Sequence, residues 1–498
     1  MQVNNHEQRQ PLLANNCYSS YTQQDFLLPE LKGPSIGIRH VQAMLMFLLL
    51  AIGIGMRVHM SVAIVAMTDN STSSNPDVPT YDWDNKSVIL SSFYWGYILL
   101  QLWAGELGRT FGTKKFLAGA MFVNSTACLL VPILASQLGS YGVMGCRMVQ
   151  GMAQGFFYPS IYNVLGRWSP KEERSTLGAF ALSGNAFGTI LTMPIVGFMS
   201  ASSFGWPSTF YLFGVLGFSW MILWLYFGSS SPSEHGSITD FEKKYIEDTM
   251  GDQDSNQKKG APWKAILTSA PVWAIVFTHI GQTWGYTTLI TEIPNYMNNV
   301  MKFDMNSNGV LSGSPYLIYF ILTCFCGVLA DYTINKEILS RANTRKIFTT
   351  TASVIPAAAL MILSFLPDDS RILSVSMLMV AVASNAGING GFNVNHIDLS
   401  PKYAGILVAL GNSSGNLFAI LAPLLVQIIV TDETDKSQWR IIFITSALWY
   451  LASNVIYVLF ASGDIQWWND DSENLKKNES DDVPETKITN ISTIMKNI

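Results

Sequence analysis

The chain has 498 residues, 49% of them hydrophobic and 13% charged, with a formal net charge of −5. Soluble domains carry about 25% charged residues, and the apolar residues here come in repeated blocks of membrane-spanning length, so a soluble enzyme is excluded. The small net charge gives no reason to expect a nucleic-acid partner; where the charges lie carries more information than their sum.

Residues 1–40 are mostly polar, with no cleavable signal peptide at their start, and are expected to form a disordered cytoplasmic arm. Leu12-Leu13 within it resembles a dileucine sorting signal. About twelve spans follow. Those of the first half are 41–68, 87–108, 115–136, 140–165, 175–200 and 207–229. A polar linker, 230–270, contains one amphipathic helix near 239–249, where Thr239 can cap a first turn holding Asp240 and Glu242. The second half is read as 271–298, 308–331, 346–366, 371–397, 403–430 and 439–462. Residues 463–498 form a polar tail. The expected organisation is therefore an all-α polytopic membrane protein with six-helix bundles over 41–229 and 271–462.

Lys and Arg placement sets orientation. The loops after spans 2, 4, 8 and 10 carry Arg109, Lys114, Lys115, Arg167, Lys171, Arg174, Lys336, Arg341, Arg345, Lys346 and Lys402. The opposite loops carry Asp69, Asp77, Asp82, Asp84, Asp368, Asp369 and Asp432 with few bases. The basic loops, the linker and both termini are thus expected to be cytoplasmic. The halves also repeat. Ser169-Pro170-Lys171 matches Ser400-Pro401-Lys402, Gly184-Asn185 matches Gly411-Asn412, and Trp206 matches Trp439, all at offsets of about 230 residues. An even number of spans per half makes this a parallel repeat.

Two arginines lie inside apolar spans, Arg57 in the first and Arg147 in the fourth. A charge at membrane depth costs at least about 2.5–3.5 kcal/mol on insertion scales. Carboxylates are scarce in these spans, so the pair points to a bound anion, with helix-tying ion pairs as the bland alternative. His59, two residues from Arg57, lies about 200° around the helix and is expected to pack elsewhere. Arg147 opens the run Arg147-x3-Gly151-x3-Gly155, whose glycines suit close helix approach. Gln154 falls seven residues after Arg147 on nearly the same face. It fits either an anion-cavity wall or an interhelical hydrogen bond.

Span 7 carries His279, Gln282, Thr283, Tyr286 and Thr287 at helical spacing, a polar stripe expected to face water or ligand. Glu292 and Pro294 predict a break near its outer end. Span 10 ends in Asn393, Asn395, His396 and Asp398, which suit a hydrated cavity or a gate between helices. Span 11 adds Asn412, Ser413, Ser414 and Asn416. Neutral oxygens of this kind coordinate a hard cation such as Na⁺ or tie helices together.

No nucleophile–base pair, phosphate loop or metal cluster supports catalysis. The five cysteines, Cys17, Cys128, Cys146, Cys324 and Cys326, show no disulfide or zinc spacing. Asn70 and Asn85 head glycosylation sequons in an outer loop.

Several motifs resemble the anion:cation symporter family of the major facilitator superfamily, with particular likeness to insect inorganic phosphate cotransporters. They are Arg57 with Val62-Ala63-Ile64-Val65, Phe93-Tyr94-Trp95-Gly96-Tyr97, Arg147-x2-Gln150-Gly151, the run from Trp168 to Arg174, and Gly391-Phe392-Asn393-Val394-Asn395-His396. The resemblance implies the major facilitator fold and anion-binding roles for Arg57 and Arg147. It also implies that Gln154 stands where proton-coupled members carry glutamate. The expected function is secondary active transport of an inorganic or organic anion by alternating access. Its anion site draws on Arg57, Arg147, Gln154, His279, Gln282, Tyr286, Asn393 and Asn412. Sodium is the expected coupling ion, with proton coupling through His279 or Glu292 and a non-transporting sensor as alternatives. The expected partners are a small anion, a coupling cation (Na⁺ or H⁺) and membrane lipid, in a plasma or vesicle membrane, and no cofactor is expected.

Overall fold

The structure, a computed structural model, describes residues 33–68, 75–83, 85–250, 261–300, 305–367, 370–432 and 434–469. Asn70, Leu12-Leu13 and Cys17 lie outside the described residues, as do the side chains of Glu292 and Pro294. Among the described residues there is no strand. The first half contains α1 (Ile38–Thr68), α2 (Lys86–Phe111), α3 (Thr113–Gln154), α4 (Phe157–Trp168), α5 (Arg174–Ala201) and α6 (Pro207–Phe227). The linker holds α7 (Asp240–Met250) and α8 (Trp263–Thr268). The second half contains α9 (Ala270–Asn299), α10 (Met305–Asn335), α11 (Arg341–Phe365), α12 (Arg371–Ser384), α13 (Phe392–Leu399), α14 (Ala404–Ile429) and α15 (Lys436–Phe460).

Nine stretches among the described residues are long and apolar enough to cross a membrane. One of them, Thr113–Trp168, has 56 residues, about 84 Å if straight against a hydrocarbon core of about 30 Å. It folds back at Gly139, whose φ of 62° is open to glycine and strained for other residues. Asn124 and Gln154, equidistant from that glycine, meet across the hairpin at 3.3 Å. With this stretch counted as two, and α2 and α9 added, the expected twelve spans are present. In α2 the continuous apolar stretch among the described residues, Val88–Gln101, is shorter than the nine, and in α9 His279, Gln282 and Thr283 lower the hydropathy.

Two details depart from expectation. α9 continues unbroken to Asn299 and does not break near Pro294. The tenth span is interrupted instead, α12 and α13 being separated by a 3-10 turn at Asn385–Asn389 and by Gly390-Gly391.

Small residues set the closest helix contacts. A Cβ on Gly184 of α5 would lie 2.2 Å from the Phe47 oxygen of α1, and one on Gly151 of α3 only 2.0 Å from the Phe93 oxygen of α2. Only glycine lets these backbones touch. The halves meet most tightly at the end bearing the basic loops. There Asn163 of α4 donates to the Gly105 oxygen of α2 (3.3 Å) and accepts from the Gly405 nitrogen of α14 (3.2 Å).

The linker docks on the same end. Arg39, 2% exposed, donates to Glu173 (2.6 and 2.8 Å) and to Glu242 of α7 (3.1 Å). Glu242 also accepts from the Ile38 and Arg39 main-chain nitrogens, capping α1 from another helix. The expected cap of α7 is present, with the Glu242 nitrogen donating to Thr239 Oγ1 at 3.3 Å. Burial, reinforced by the Glu173 and Glu172 carboxylates, pushes the Tyr245 hydroxyl up.

Candidate functional site

The arginine of α1 sits in an aromatic cage. Eleven residues, about 16 Å of helix, separate Arg57 from the end of α1 at Thr68. Its guanidinium carbon lies 4.6 Å from the Phe93 ring centre, 5.1 Å from Tyr94 and 4.6 Å from Tyr97. All three rings come from adjacent turns of α2, held close by the Gly151 contact. Such contacts contribute about 0.5–2 kcal/mol each and leave the Nε and Nη2 donors free. Among the described residues no carboxylate pairs with Arg57, and its Nε and Nη2 atoms have no hydrogen-bond partner.

Arg147 is bound differently. Its Nη1 donates to the Met56 oxygen (3.4 Å) and its Nη2 to the Arg57 oxygen (3.3 Å). It also lies 4.8 Å from the Phe93 ring, so both guanidinium groups share one aromatic face-former. Two turns on, Gln154 donates to the Gly53 oxygen (2.8 Å) and to Asn124 Oδ1 (3.3 Å). Arg147 and Gln154 thus lie on one face, as their spacing predicts, and that face holds α1. Gln154 has the interhelical role, being 2% exposed with its amide committed. His59 turns away from Arg57 and stands edge-on to Phe210 at 4.5 Å, with its Nδ1 2.9 Å from the Met56 oxygen that Arg147 also bonds.

The polar stripe of α9 is distributed among neighbouring helices and does not form one open wall. His279 Nε2 lies 3.0 Å from His396 Nε2 of α13. Gln282 donates to Ser353 Oγ of α11 at 2.7 Å. Tyr286 faces the Tyr319 ring of α10 at 6.0 Å. Asn393 donates to Asn389 Oδ1 at 3.0 Å, bracing the break in the tenth span. Asn412 of α14 crosses to the first half and donates to the Tyr97 hydroxyl at 3.0 Å. Tyr97 therefore links the Arg57 cage to the second half. Asn85 starts α2 and donates to Ser140 Oγ at 3.1 Å.

A buried ionic latch closes the basic end. Asp398, 0% exposed, accepts from Arg345 Nε (2.6 Å) and from Arg174 Nη1 of the other half (3.0 Å). Arg345 also donates to Ser175 Oγ (2.7 Å), and Asp331 accepts from the Ser175 and Thr176 nitrogens at the start of α5 (2.9 and 2.6 Å). An acid at a helix N-terminus complements the macrodipole. Sequence reasoning placed Asp398 in a gate but assigned it no partner; it counted Arg174 and Arg345 only as basic loop charges and gave Asp331 no part in a gate. It also missed the cage role of Phe93, Tyr94 and Tyr97, for which the i, i+4 aromatic spacing of Phe93 and Tyr97 was the available signal.

Comparison with known proteins follows this geometry. A profile described as Major Facilitator Superfamily matches residues 43–423. A Drosophila melanogaster protein named "Putative inorganic phosphate cotransporter" is 36% identical over 464 residues, covering 88% of each chain. Its Drosophila ananassae namesake is 37% identical over 457 residues, covering 87% of this chain and 94% of the relative. Human "Vesicular glutamate transporter 2" is 31% identical over 465 residues, covering 90% and 79%. Among solved structures, the transporter FucP in its outward conformation superposes with a TM-score of 0.61 at 10% identity, covering 85% of this chain and all of that one. A bacterial homologue of ferroportin gives 0.61 at 12% identity, covering 84% and 98%. These structural likenesses concern the fold.

Proposed function

We propose, for a chain that belongs to the Major Facilitator Superfamily, in the family of the inorganic phosphate cotransporters and vesicular glutamate transporters, and that is a membrane transporter and not an enzyme, that it moves a small anion by alternating access with Arg57 as the principal anion ligand. One observation carries this reading: a guanidinium deep in a span has aromatic walls, no paired carboxylate and two N–H-bearing atoms without partners. A planar fork of donors suits carboxylate and phosphate alike. In this reading Arg147 contributes its charge and holds α1 in place. Tyr97, Asn412, Tyr286 and Asn393 surround the path of the anion between the halves.

The coupling cation is proposed to be sodium, because Gln154 has no proton to exchange and its amide is already bonded to α1 and α3. Neutral oxygens on α14, including Ser413, whose Oγ has no partner, suit a hard cation. A second reading, proton coupling, is favoured by the His279–His396 contact. The basic loops, the linker and both chain ends are proposed to face the cytoplasm.

Uptake of labelled phosphate and labelled glutamate into proteoliposomes, with sodium and proton gradients imposed separately, tests the reading. Accumulation of either anion under one gradient is expected. Binding without accumulation identifies a sensor and overturns transport.

A further inference from the structure

Two buried histidines from separate helices meet nitrogen to nitrogen in the second half. His279 Nε2 of α9 is 3.0 Å from His396 Nε2 of α13, and His396 Nδ1 is 2.9 Å from the main-chain oxygen of Asn393. A carbonyl can only accept, so His396 Nδ1 carries a hydrogen and its Nε2 presents a lone pair. His279 must then donate through Nε2, which leaves a lone pair on its Nδ1. Among the described residues no group donates to that atom. His396 is 0% exposed and His279 8%, so what little of the pair is open belongs to His279.

We infer that this pair is a proton-binding site, with His279 Nδ1 taking the proton and His396 Nε2 sharing the resulting charge through the bridging hydrogen. The proton adds to a lone pair and no bond breaks. The product is an imidazolium–imidazole pair carrying one positive charge, and its central hydrogen bond becomes charge-assisted. The consequence for coupling rests on the anion-transport reading; the site itself does not.

The surroundings suit a proton better than a metal or a salt bridge. Phe392 stands edge-on to His279 at 4.9 Å, and Gly411 of α14 packs against the ring so closely that a Cβ there would lie 2.4 Å from it. Tyr162 of α4, in the first half, stands edge-on to His396 at 5.3 Å. Tyr162 and, beyond Phe392, Tyr457 are the titratable groups facing the pair, and α14 contains no charged residue. The single acid of α9, Glu292, is thirteen residues, about 20 Å of helix, from His279. The one charged residue of α13 is Asp398, two residues past His396, and it is bound by Arg174 and Arg345, with Arg341 at 4.0 Å. Among the described residues no carboxylate is placed to neutralise a charged pair, and they form no cluster of three metal-ligating groups. A charge here finds its complement in an incoming anion. It also appears at the contact between the halves, beside the latch residues. An unperturbed imidazole changes charge between about pH 5 and 8, whereas a charge buried with no carboxylate beside it is costly until an anion arrives, so anion binding and proton uptake become linked, as the proton-coupled reading requires.

The test counts protons. Calorimetry on the full chain in detergent, with inorganic phosphate and L-glutamate as probes in buffers of different ionisation enthalpy, measures protons taken up per anion bound. About one is expected for a probe that binds, and near zero in His279→Gln and His396→Gln. Melting temperature at about pH 8, where the pair is neutral, shows whether the variants fold. Melting followed down to about pH 5 reports the pair with no anion present: a pair that accepts the proton while folded keeps its melting temperature as pH falls, which is expected, whereas a pair that stays neutral loses stability because it is protonated only when unfolded. If both variants fail to fold, the wild-type proton count decides. No proton uptake on anion binding by the wild type, or a melting temperature that falls with pH in the wild type but not in the two variants, overturns the site. If neither probe binds, the anion-transport reading fails while the melting profile still decides the proton site.

Discussion

Arg147 donates from Nη2 to the main-chain oxygen of Arg57 at 3.3 Å. The two intramembrane arginines are therefore neighbours, yet they differ in what their guanidinium groups hold. Arg147 grips the backbone of α1, whereas Arg57 leans on three rings of α2 with donors to spare. The two substitutions should separate. Arg57→Ala is expected to reach the membrane in normal amounts and to lose anion uptake at least tenfold, about 1.4 kcal/mol of binding. Arg147→Ala is expected to lower the melting temperature as well, because α1 loses two donors worth about 1–3 kcal/mol together. Equal melting temperatures and unchanged anion affinity in both variants would defeat these assignments.

Lysine keeps a charge and loses the fork. Arg147→Lys cannot reach the Met56 and Arg57 oxygens with a planar pair of donors, so uptake is expected to fall, though less than in Arg147→Ala. The comparison is made on initial uptake rates normalised to protein in the membrane. A lysine variant indistinguishable from wild type would show that charge alone suffices.

Gly151 positions the cage without touching an anion. A Cβ at this position would meet the Phe93 oxygen at 2.0 Å, so Gly151→Val must push α2 away from α3. Overpacking of this kind costs about 1–3 kcal/mol. Both stability and anion affinity are expected to fall although every arginine remains. Retained affinity in a protein that melts early would show that the cage does not depend on this contact.

Asp398→Asn removes the one carboxylate that Arg174 and Arg345 share across the halves. Breaking a buried ion pair by deleting one partner costs about 3–5 kcal/mol, and here the loss falls on the conformation closed at the basic end. Gly166 of α4 packs on Pro401 in that conformation, and a Cβ there would lie 2.5 Å from the Pro401 oxygen. A Gly166→Cys, Pro401→Cys pair should cross-link readily in the wild-type background and poorly with Asp398→Asn. Equal cross-linking yields in the two backgrounds would count against the latch.

Much of this molecule is readable from its chain because the bilayer acts on local composition. Apolar blocks of fixed length give the spans, matched segments the parallel repeat, and basic loops the sidedness proposed for it. The cost of a charge in an apolar block singles out Arg57 and Arg147 with no structure in hand. Helical spacing likewise places Gln154 on the face of Arg147, and it turns His59 away from Arg57.

What those side chains hold was decided only by tertiary contacts. Arg174 and Asp398 are separated by 224 residues, and His279 and His396 by 117. Nothing in the local pattern of either partner encodes the other. The stripe of α9 has the same spacing whether it faces water or its neighbours, and packing resolved it toward α11, α13 and α10. The same holds for the cage. In the chain Phe93, Tyr94 and Tyr97 show only as part of a motif, and they surround the Arg57 guanidinium once α1 lies against α2, which Gly96 and Gly151 let pack closely on α3.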